Sequence, residues 1–247
     1  MSEVDFDLLD RRVRVAARAL ARHGLVQAWG HCSARVDDKH LLVCAAKPMG
    51  QIEIGEPGVI VPIEGSLPEG VLGEVRIHQQ IYRLRPDVGG ICRIMPPITM
   101  ALSTLGLTPT PRHGVGAFHA ACRYWDDPRL LRDDNLAAAL AEHLGDAPSL
   151  VMRANGAVTV GPCIEVAAGF AWCLEDAARI DQLARIIPTA SQHYASGLSS
   201  EEIALRQVST GGVFERLWHF LSAGDAEVEP LFQAGASFPP PHWGTPI

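Results

Sequence analysis

An arginine stands inside an apolar segment of the chain, where a positive charge is costly. Residues 88–95 read VGGICRIM, a pattern typical of a buried strand, and Arg93 interrupts it. Successive side chains of a strand point to opposite faces, so Arg93 and Met95 share one face while Cys92 and Ile94 share the other. A buried guanidinium is strongly destabilising unless an anion accompanies it. The segment therefore predicts a partner for Arg93, either a carboxylate of the protein or a carboxylate of a substrate.

The composition favours small-molecule chemistry. The 247 residues carry a formal charge of -7, and the 21 Lys and Arg residues are scattered rather than striped. No apolar run reaches the roughly 18 residues that cross a bilayer, and the amino terminus, MSEVDFDLLDRR, is acidic where a secretory signal would be basic. The six cysteines form no CxxC pair, which predicts buried free thiols. We expect a cytoplasmic protein with a small anionic substrate, no nucleic-acid partner and no membrane contact.

Helix and strand patterns alternate along the chain and predict an α/β fold with a sheet covered by helices. The predicted helices have apolar residues at helical spacing, and they are residues 6–23, 73–85, 134–144 and 164–186. The predicted strands are short apolar runs beside turn residues, and they are residues 40–45, 58–63, 88–95 and 149–153.

A change of composition after Pro188 divides the chain into two parts. Residues 1–187 hold the alternating pattern and predict one α/β domain, whereas residues 188–247 predict a helical arm with a Pro-rich tail. In the arm, SSEEIALRQ has a capping signature, VFERLWHFL is amphipathic, and FPPPHWGTPI is too rich in proline for regular structure. Since Trp218 and Trp243 make the arm too apolar to stay exposed, we expect it to pack on a neighbouring subunit.

Three stretches of the sequence resemble the signature stretches of the class II aldolase/adducin family. They are GLVQAWGHCSAR (24–35), GEVRIHQQIYRLRPDVGGICRIMPP (73–97) and VMRANGAVTVGPCIEVAAGFAWCLEDAAR (151–179), in the family's order and spacing. The resemblance covers residues 6–187 and implies a three-layer α/β/α sandwich that assembles as a tetramer, with active sites between neighbouring subunits. The form GHCSAR and the tail after Pro188 are more similar to the family's decarboxylase branch than to its sugar-phosphate aldolases.

The resemblance implies a metal site whose ligands this chain has lost. In the family's aldolases and epimerases three histidines hold a divalent ion, and their positions fall on Arg93, Met95 and Asn155. A guanidinium has no lone pair to give, a thioether is a poor ligand for Zn, Mn or Mg, and one amide oxygen would not hold an ion. The family's acid/base glutamate falls on Glu74. We therefore expect no cofactor here, and an Arg93 that pairs with Glu74 or, as we favour, holds a substrate carboxylate.

Further candidate residues follow from the same resemblance. Gly30, His31 and Ser33 match the family's anion-binding loop, and Arg35 would either brace that loop or touch the ligand. His119 directly follows the small-residue stretch GVGAF (114–118), and Tyr124 lies just beyond it. Such a stretch can border a pocket in an α/β sandwich. The expected catalytic residues are Glu74, Arg93 and His119. The expected substrate-binding residues are Gly30, His31, Ser33, Arg35, Met95, Tyr124 and Asn155.

Two classes of function remain open. The first is a carbon–carbon lyase of the decarboxylase or aldolase type, acting without a metal on a small carboxylated substrate. A hydroxyaromatic acid would suit it, because its ring can accept a proton and store charge. The second is a non-catalytic ligand-binding or assembly relative. Glu74 together with Arg93 favours the enzyme, whereas the loss of every histidine ligand favours the binding protein.

The resemblance and the apolar arm together predict a homo-oligomer, a tetramer in the family's form. Light scattering at micromolar concentration should then give a mass several times that of the 26.6 kDa chain. A mass near that of a single chain would contradict this expectation.

Overall fold

The computed structural model describes residues 5–187, 196–228 and 237–245. The first of these ranges contains both helices and strands, as predicted. The helices in the described residues are α1 (Phe6–Arg22), α2 (Arg76–Leu84), α3 (Pro97–Ser103), α4 (Asp134–Leu144), α5 (Ile164–Ile186), α6 (Ser200–Arg206) and α7 (Val213–Ser222). The strands are β1 (His31–Arg35), β2 (His40–Val43), β3 (Val59–Pro62), β4 (Gly90–Ile94), β5 (Arg123–Trp125), β6 (Ser149–Met152) and β7 (Ala157–Gly161). However, β1 to β3 and β6 to β7, all within the described residues 5–187, follow one another without an α-helix between them. None of these helices is long and apolar enough to span a membrane.

The seven strands form one mixed sheet in the order β3-β2-β1-β4-β7-β6-β5. Neighbouring strands run antiparallel, except for the parallel pair β5 and β6. In the register of β1 with β4, His31 lies opposite Arg93 and Cys32 lies opposite Cys92. The two central strands thus present matched residues to each face of the sheet.

Two apolar layers hold helices against the two faces of this sheet. On one face, residues of α1 and α5 pack with Cys32, Cys92 and Ile94. On the other face, residues of α2 and α4 pack with Ile91 and Val158. The expected three-layer α/β/α sandwich is confirmed. All six cysteines are free, and five of them are buried.

Alternation along β1 and β4 decides which polar residues meet α2. Because Cys32 and Cys92 face α1 and α5, the side chains of His31, Ser33 and Arg93 point to the opposite face. That face is covered by α2, which a 3-10 turn over Gly73–Val75 precedes. The predicted candidate residues of β1 and β4 are therefore gathered under one helix.

The C-terminal arm packs on its own chain in the described residues. Trp218 of α7 is buried in the apolar layer of α1 and α5, and the ring of Trp243 lies 4.9 Å from that of Phe118. Contacts within the chain thus bury Trp218 and half-bury Trp243. That the arm packs on a neighbouring subunit stays a prediction.

A buried ion-pair network fastens the arm to α1. Arg18 binds both carboxylate oxygens of Asp225, at 2.8 and 2.7 Å, and Arg14 lies 2.8 Å from Glu227. Burial raises the pKa of the Asp225 carboxyl, but hydrogen bonds from Arg18 and its charge outweigh burial, so the pKa lies below its ordinary value. The pKa of Glu227 is lowered in the same way by Arg14 and Arg18.

The network should make the arm's attachment sensitive to acid. A carboxyl whose folded pKa is depressed stabilises the fold above its unfolded pKa of about 4, and that stability is lost as the pH falls through the folded value. Asp225→Asn should therefore lower the free energy of unfolding by about 3 kcal/mol at neutral pH. This difference from the parent protein should shrink below pH of about 4.

Urea denaturation of both proteins across pH measures this difference. Asp126→Asn is the matched control, because Asp126 pairs with Arg153 on the surface and its side chain is 74% exposed. A loss of stability that is equally large at all pH values would contradict the role given to the Asp225 charge.

Candidate active site

Polar side chains fill the contact between α2 and the two central strands. Glu74, His78 and Tyr82 are spaced four residues apart, so they lie along one side of the helix and the turn before it. They face the polar residues of β1 and β4 described above. We call this set the polar seam, and its members are Glu74, His78, Tyr82, His31, Ser33 and Arg93.

Both terminal nitrogens of Arg93 bind groups of the protein. Its Nη2 donates to Asn155 Oδ1 at 2.9 Å and to Glu74 Oε2 at 3.3 Å. Its Nη1 donates to the carbonyl oxygen of Ile94 and contacts Met95 Sδ, both at 2.9 Å. The residue is 3% exposed, and among the described residues Nε has no partner. A forked hold on a substrate carboxylate, which we expected of Arg93, does not fit these contacts.

The surroundings of Arg93 do not fit a divalent ion. Arg93, Met95 and Asn155, which the resemblance aligns with the family's three histidines, do lie together. The guanidinium stands between the other two side chains and brings its own positive charge. Burial lowers the pKa of Arg93, and attraction by Glu74 partly offsets this effect. The described residues contain no group of three His, Cys, Asp or Glu placed to hold a metal. The oxygen and sulfur atoms at this place surround the guanidinium of Arg93, a cation that is part of the chain.

Glu74 is the member of the seam that is held firmly and still reaches solvent. Its Oε1 accepts a hydrogen bond from the backbone N–H of Leu131 at 3.1 Å, and its Oε2 accepts the bond from Arg93. Its side chain is 16% exposed and lines a cavity. A carboxyl group in this position can exchange a proton with a molecule in the cavity.

The rest of the seam is a chain of hydrogen bonds. His31 Nδ1 lies 2.9 Å from His78 Nε2, and His78 Nδ1 lies 2.6 Å from Ser33 Oγ. Ser33 Oγ lies 3.1 Å from Tyr82 Oη, which also donates to the carbonyl oxygen of Ser33. Burial, followed by repulsion from Arg93, lowers the pKa of His78 to about 3. The pKa of His31 is also well below its ordinary value, through burial and then through His78 and Arg93. Both imidazoles are therefore neutral near pH 7.

The cavity beside Glu74 has a volume of about 230 Å³. Trp29 borders it with a side chain that is 73% exposed, and Lys47, which pairs with Glu56 at 2.9 Å, lies on another side. Arg132 also lines the cavity, and it has no acidic partner among the described residues. The cavity thus combines an aromatic surface, a carboxyl group and a cation that is open to a ligand.

Gly30 is the one lining residue whose backbone demands glycine. Its φ is +143°, and a Cβ there would lie 2.9 Å from the carbonyl oxygen of Arg93. The backbone of Gly30 therefore lies close against β4. The next residue, His31, lines the cavity.

Two of the expected binding residues, Ser33 and Arg35, do not line the cavity and instead make contacts within the protein. Ser33 is fully buried and bonded to His78 and Tyr82, so its hydroxyl is not open to a ligand. Arg35 donates to the carbonyl oxygens of Tyr82 and Arg85 and stacks on the Tyr82 ring, 4.7 Å from its centre. Arg35 therefore braces α2. This role differs from the two left open for it, which were to brace the loop of residues 30–33 or to touch the ligand.

His119 and Tyr124 are not among the residues that line the cavity. His119 Nδ1 pairs with the hydroxyl of Ser149, the first residue of β6. Asn155, which binds Arg93, lies beyond the other end of that strand. Burial lowers the pKa of His119 to about 3. Tyr124 donates to the carbonyl oxygen of Ser103 at 2.9 Å. The expected catalytic role of His119 does not fit its place at the far end of β6.

Trp29 and Arg132 line the cavity but were not predicted from the sequence. Trp29 stands directly before Gly30, so an exposed aromatic residue next to a proposed anion-binding loop was the available signal. Arg132 follows Leu131, whose N–H binds Glu74, but this contact joins residues that are 57 positions apart. Spacing along the chain gives no sign of it.

Curated relatives carry a common name. The decarboxylase of Arthrobacter keyseri named 3,4-dihydroxyphthalate decarboxylase is 29% identical over 177 residues, which cover 63% of this chain and 70% of the relative. The protein of the same name from Rhodococcus jostii (strain RHA1) is 25% identical over 96% of this chain and 93% of its own length.

Solved structures and a family model agree on the fold. An aldolase II superfamily protein from Pseudomonas syringae is 24% identical, with a TM-score of 0.72 over 88% of this chain and 92% of its own. L-fuculose 1-phosphate aldolase from Glaciozyma antarctica PI12 is 20% identical, with a TM-score of 0.70 over 90% of this chain and 88% of its own. The model of the class II aldolase and adducin N-terminal domain matches residues 11–181, more than half of the chain. This protein therefore belongs to the class II aldolase/adducin family.

Proposed function

We propose that this protein is a carbon–carbon lyase of the decarboxylase type, which acts on a small hydroxyaromatic carboxylate without a divalent metal. The family and the decarboxylase-named relatives support a lyase. The proposed decarboxylation without a metal is supported by the position of Glu74, which faces the cavity while Arg93 supplies a positive charge behind it. The exposed Trp29 and the open Arg132 suit an aromatic ring that bears a carboxylate.

Glu74 is the proton donor in this proposal. Transfer of its proton to the ring carbon that bears the carboxylate forms a C–H bond, and the electron pair for this bond comes from the ring. The C–COO⁻ bond then breaks, its electron pair restores the aromatic ring, and CO₂ leaves. In the free site Glu74 is the carboxylate that pairs with Arg93. In each cycle it takes up one proton from solvent, and this is the proton that it transfers to the ring. Arg93 stabilises the Glu74 carboxylate that remains after transfer.

Arg132 replaces Arg93 as the proposed anchor of the substrate carboxylate. A guanidinium that lines the cavity and has no acidic partner among the described residues has its donor fork free for a ligand. Lys47 is the weaker candidate, because Glu56 already holds it at 2.9 Å. Substrate binding and proton transfer are thus assigned to different residues that line one cavity.

The proposed reaction is tested by incubating the purified protein with 3,4-dihydroxyphthalate and measuring CO₂ and the dihydroxybenzoate product. Glu74→Gln should lower kcat by about 10²- to 10⁴-fold, because it removes the proton donor but keeps a similar shape. Glu69→Gln, on an exposed loop outside the cavity, is the matched control. Turnover by Glu74→Gln at the parent rate would contradict the role of Glu74.

The two arginines should differ in the quantity that each one controls. Arg132→Met should weaken binding of the carboxylated ligand by about 10- to 100-fold with little change in stability, because it removes a charge-assisted contact at the cavity. Arg93→Met should instead lower the free energy of unfolding, because Asn155 and Glu74 lose their buried partner.

A double-mutant cycle separates the Arg93–Glu74 pair from effects on either residue alone. Glu74→Gln leaves the Arg93 charge buried without compensation, so the pair Arg93→Met with Glu74→Gln should recover about 1 to 3 kcal/mol relative to the sum of the single changes. Urea denaturation and ligand titration are measured on the same variants. Additive single changes, or an Arg93→Met variant that keeps its stability and loses its ligand, would overturn this assignment.

A non-catalytic ligand-binding protein is the second candidate, and the replacement of all three histidine positions favours it. It would bind hydroxylated aromatic carboxylates in the same cavity. Tight binding of 3,4-dihydroxyphthalate without release of CO₂ from it or from related hydroxybenzoates would support this alternative over the lyase.

A further inference from the structure

His31 lines the cavity and has one ring nitrogen without a hydrogen-bond partner among the described residues. The residue is 3% exposed, and this nitrogen is its buried Nε2. A buried polar atom without a partner is destabilising, and folded proteins rarely leave one in place. Its position at the cavity suggests that a bound molecule supplies the missing partner.

The hydroxyl of Ser33 determines which nitrogen of His31 carries the proton. Tyr82 Oη donates to the carbonyl oxygen of Ser33, so the Ser33 proton can go to His78 Nδ1 at 2.6 Å or to Tyr82 Oη at 3.1 Å. The shorter contact favours donation to His78. His78 then carries its proton on Nε2 and donates to His31 Nδ1, which leaves the proton of His31 on Nε2.

We propose that His31 Nε2–H donates a hydrogen bond to a ring oxygen of the substrate and stabilises negative charge that develops there. His78 and Ser33 are positioning residues that fix the donor form of His31. The inference rests on the proposed function, because it requires a substrate with a hydroxylated ring. A neutral N–H donor in a buried setting stabilises such charge without adding a second cation beside Arg93, which lies opposite on β4.

The tautomer of His31 can be measured without any ligand. In protein labelled with ¹⁵N at histidine, the His31 ring should show a protonated, pyrrole-type Nε2 and an unprotonated, pyridine-type Nδ1, with His31→Gln used to assign its signals. Ser33→Ala should release this preference. Tyr82→Phe should retain it, because the Ser33 proton is then left with His78 as its acceptor. A proton on His31 Nδ1 in the parent protein, or its transfer there in Tyr82→Phe, would overturn the proposal.

Ligand binding tests the role of the donor. His31→Phe should weaken binding of 3,4-dihydroxybenzoate by about tenfold, the loss expected for one hydrogen bond, and should leave binding of benzoate unchanged. His31→Gln should recover part of the loss, because its amide also donates. His40→Phe is the matched control, since His40 pairs with Asp37 away from the cavity. Equal weakening of both ligands by His31→Phe would overturn the proposal.

Catalysis gives a separate readout. With 3,4-dihydroxyphthalate, His31→Phe should lower kcat by about 100-fold, more than it raises KM, and unchanged kcat would count against the role of His31. If the parent protein releases no CO₂, the proposed function fails. The tautomer and the discrimination between the two benzoates then still decide the inference about His31.

Discussion

The charge of Arg93 is the constraint on which the rest of the site depends. A guanidinium that is 3% exposed in a central strand must be compensated, and the chain does so with Glu74, Asn155, Met95 and a backbone carbonyl. The four partners come from three places in the fold. Glu74 lies in the turn before α2, Asn155 lies in the turn after β6, and both Met95 and the carbonyl of Ile94 lie at the end of β4. The same contacts fix the orientation of Glu74 at the cavity, so the compensation of one charge also positions the proposed proton donor.

The polar seam extends this effect along α2. Burial and the charge of Arg93 keep His78 neutral. Hydrogen bonds connect Tyr82 through Ser33 and His78 to His31, which lines the cavity. A seam of this kind is stable because almost every polar atom in it has a partner, and a partly satisfied network would destabilise the core. Its two ends at the cavity, Glu74 and His31, are the places where a ligand can interact with it.

Much of the fold was predictable from the sequence because the helices and most of the strands have clear periodicity. The predictions for 134–144 and 164–186 match α4 and α5 residue for residue, since a capping Asp133 and the flanking Gly and Pro residues mark their ends. The strands β1, β5 and β7 and the short helix α3 were not predicted. In β1, His31 and Ser33 interrupt the apolar pattern because they belong to the seam. The roles of Arg93 and Arg132 depend on contacts between residues far apart in sequence, which local spacing does not encode.

We propose that Arg93 takes the place of a divalent ion in a working site. Metal content and turnover measured on the same protein, purified without chelator and assayed before and after chelator treatment, test it most directly. We expect far less than one Mn, Fe, Co, Ni or Zn per chain and a turnover that the chelator leaves unchanged. A near-stoichiometric metal whose removal abolishes turnover and whose return restores it would contradict the account.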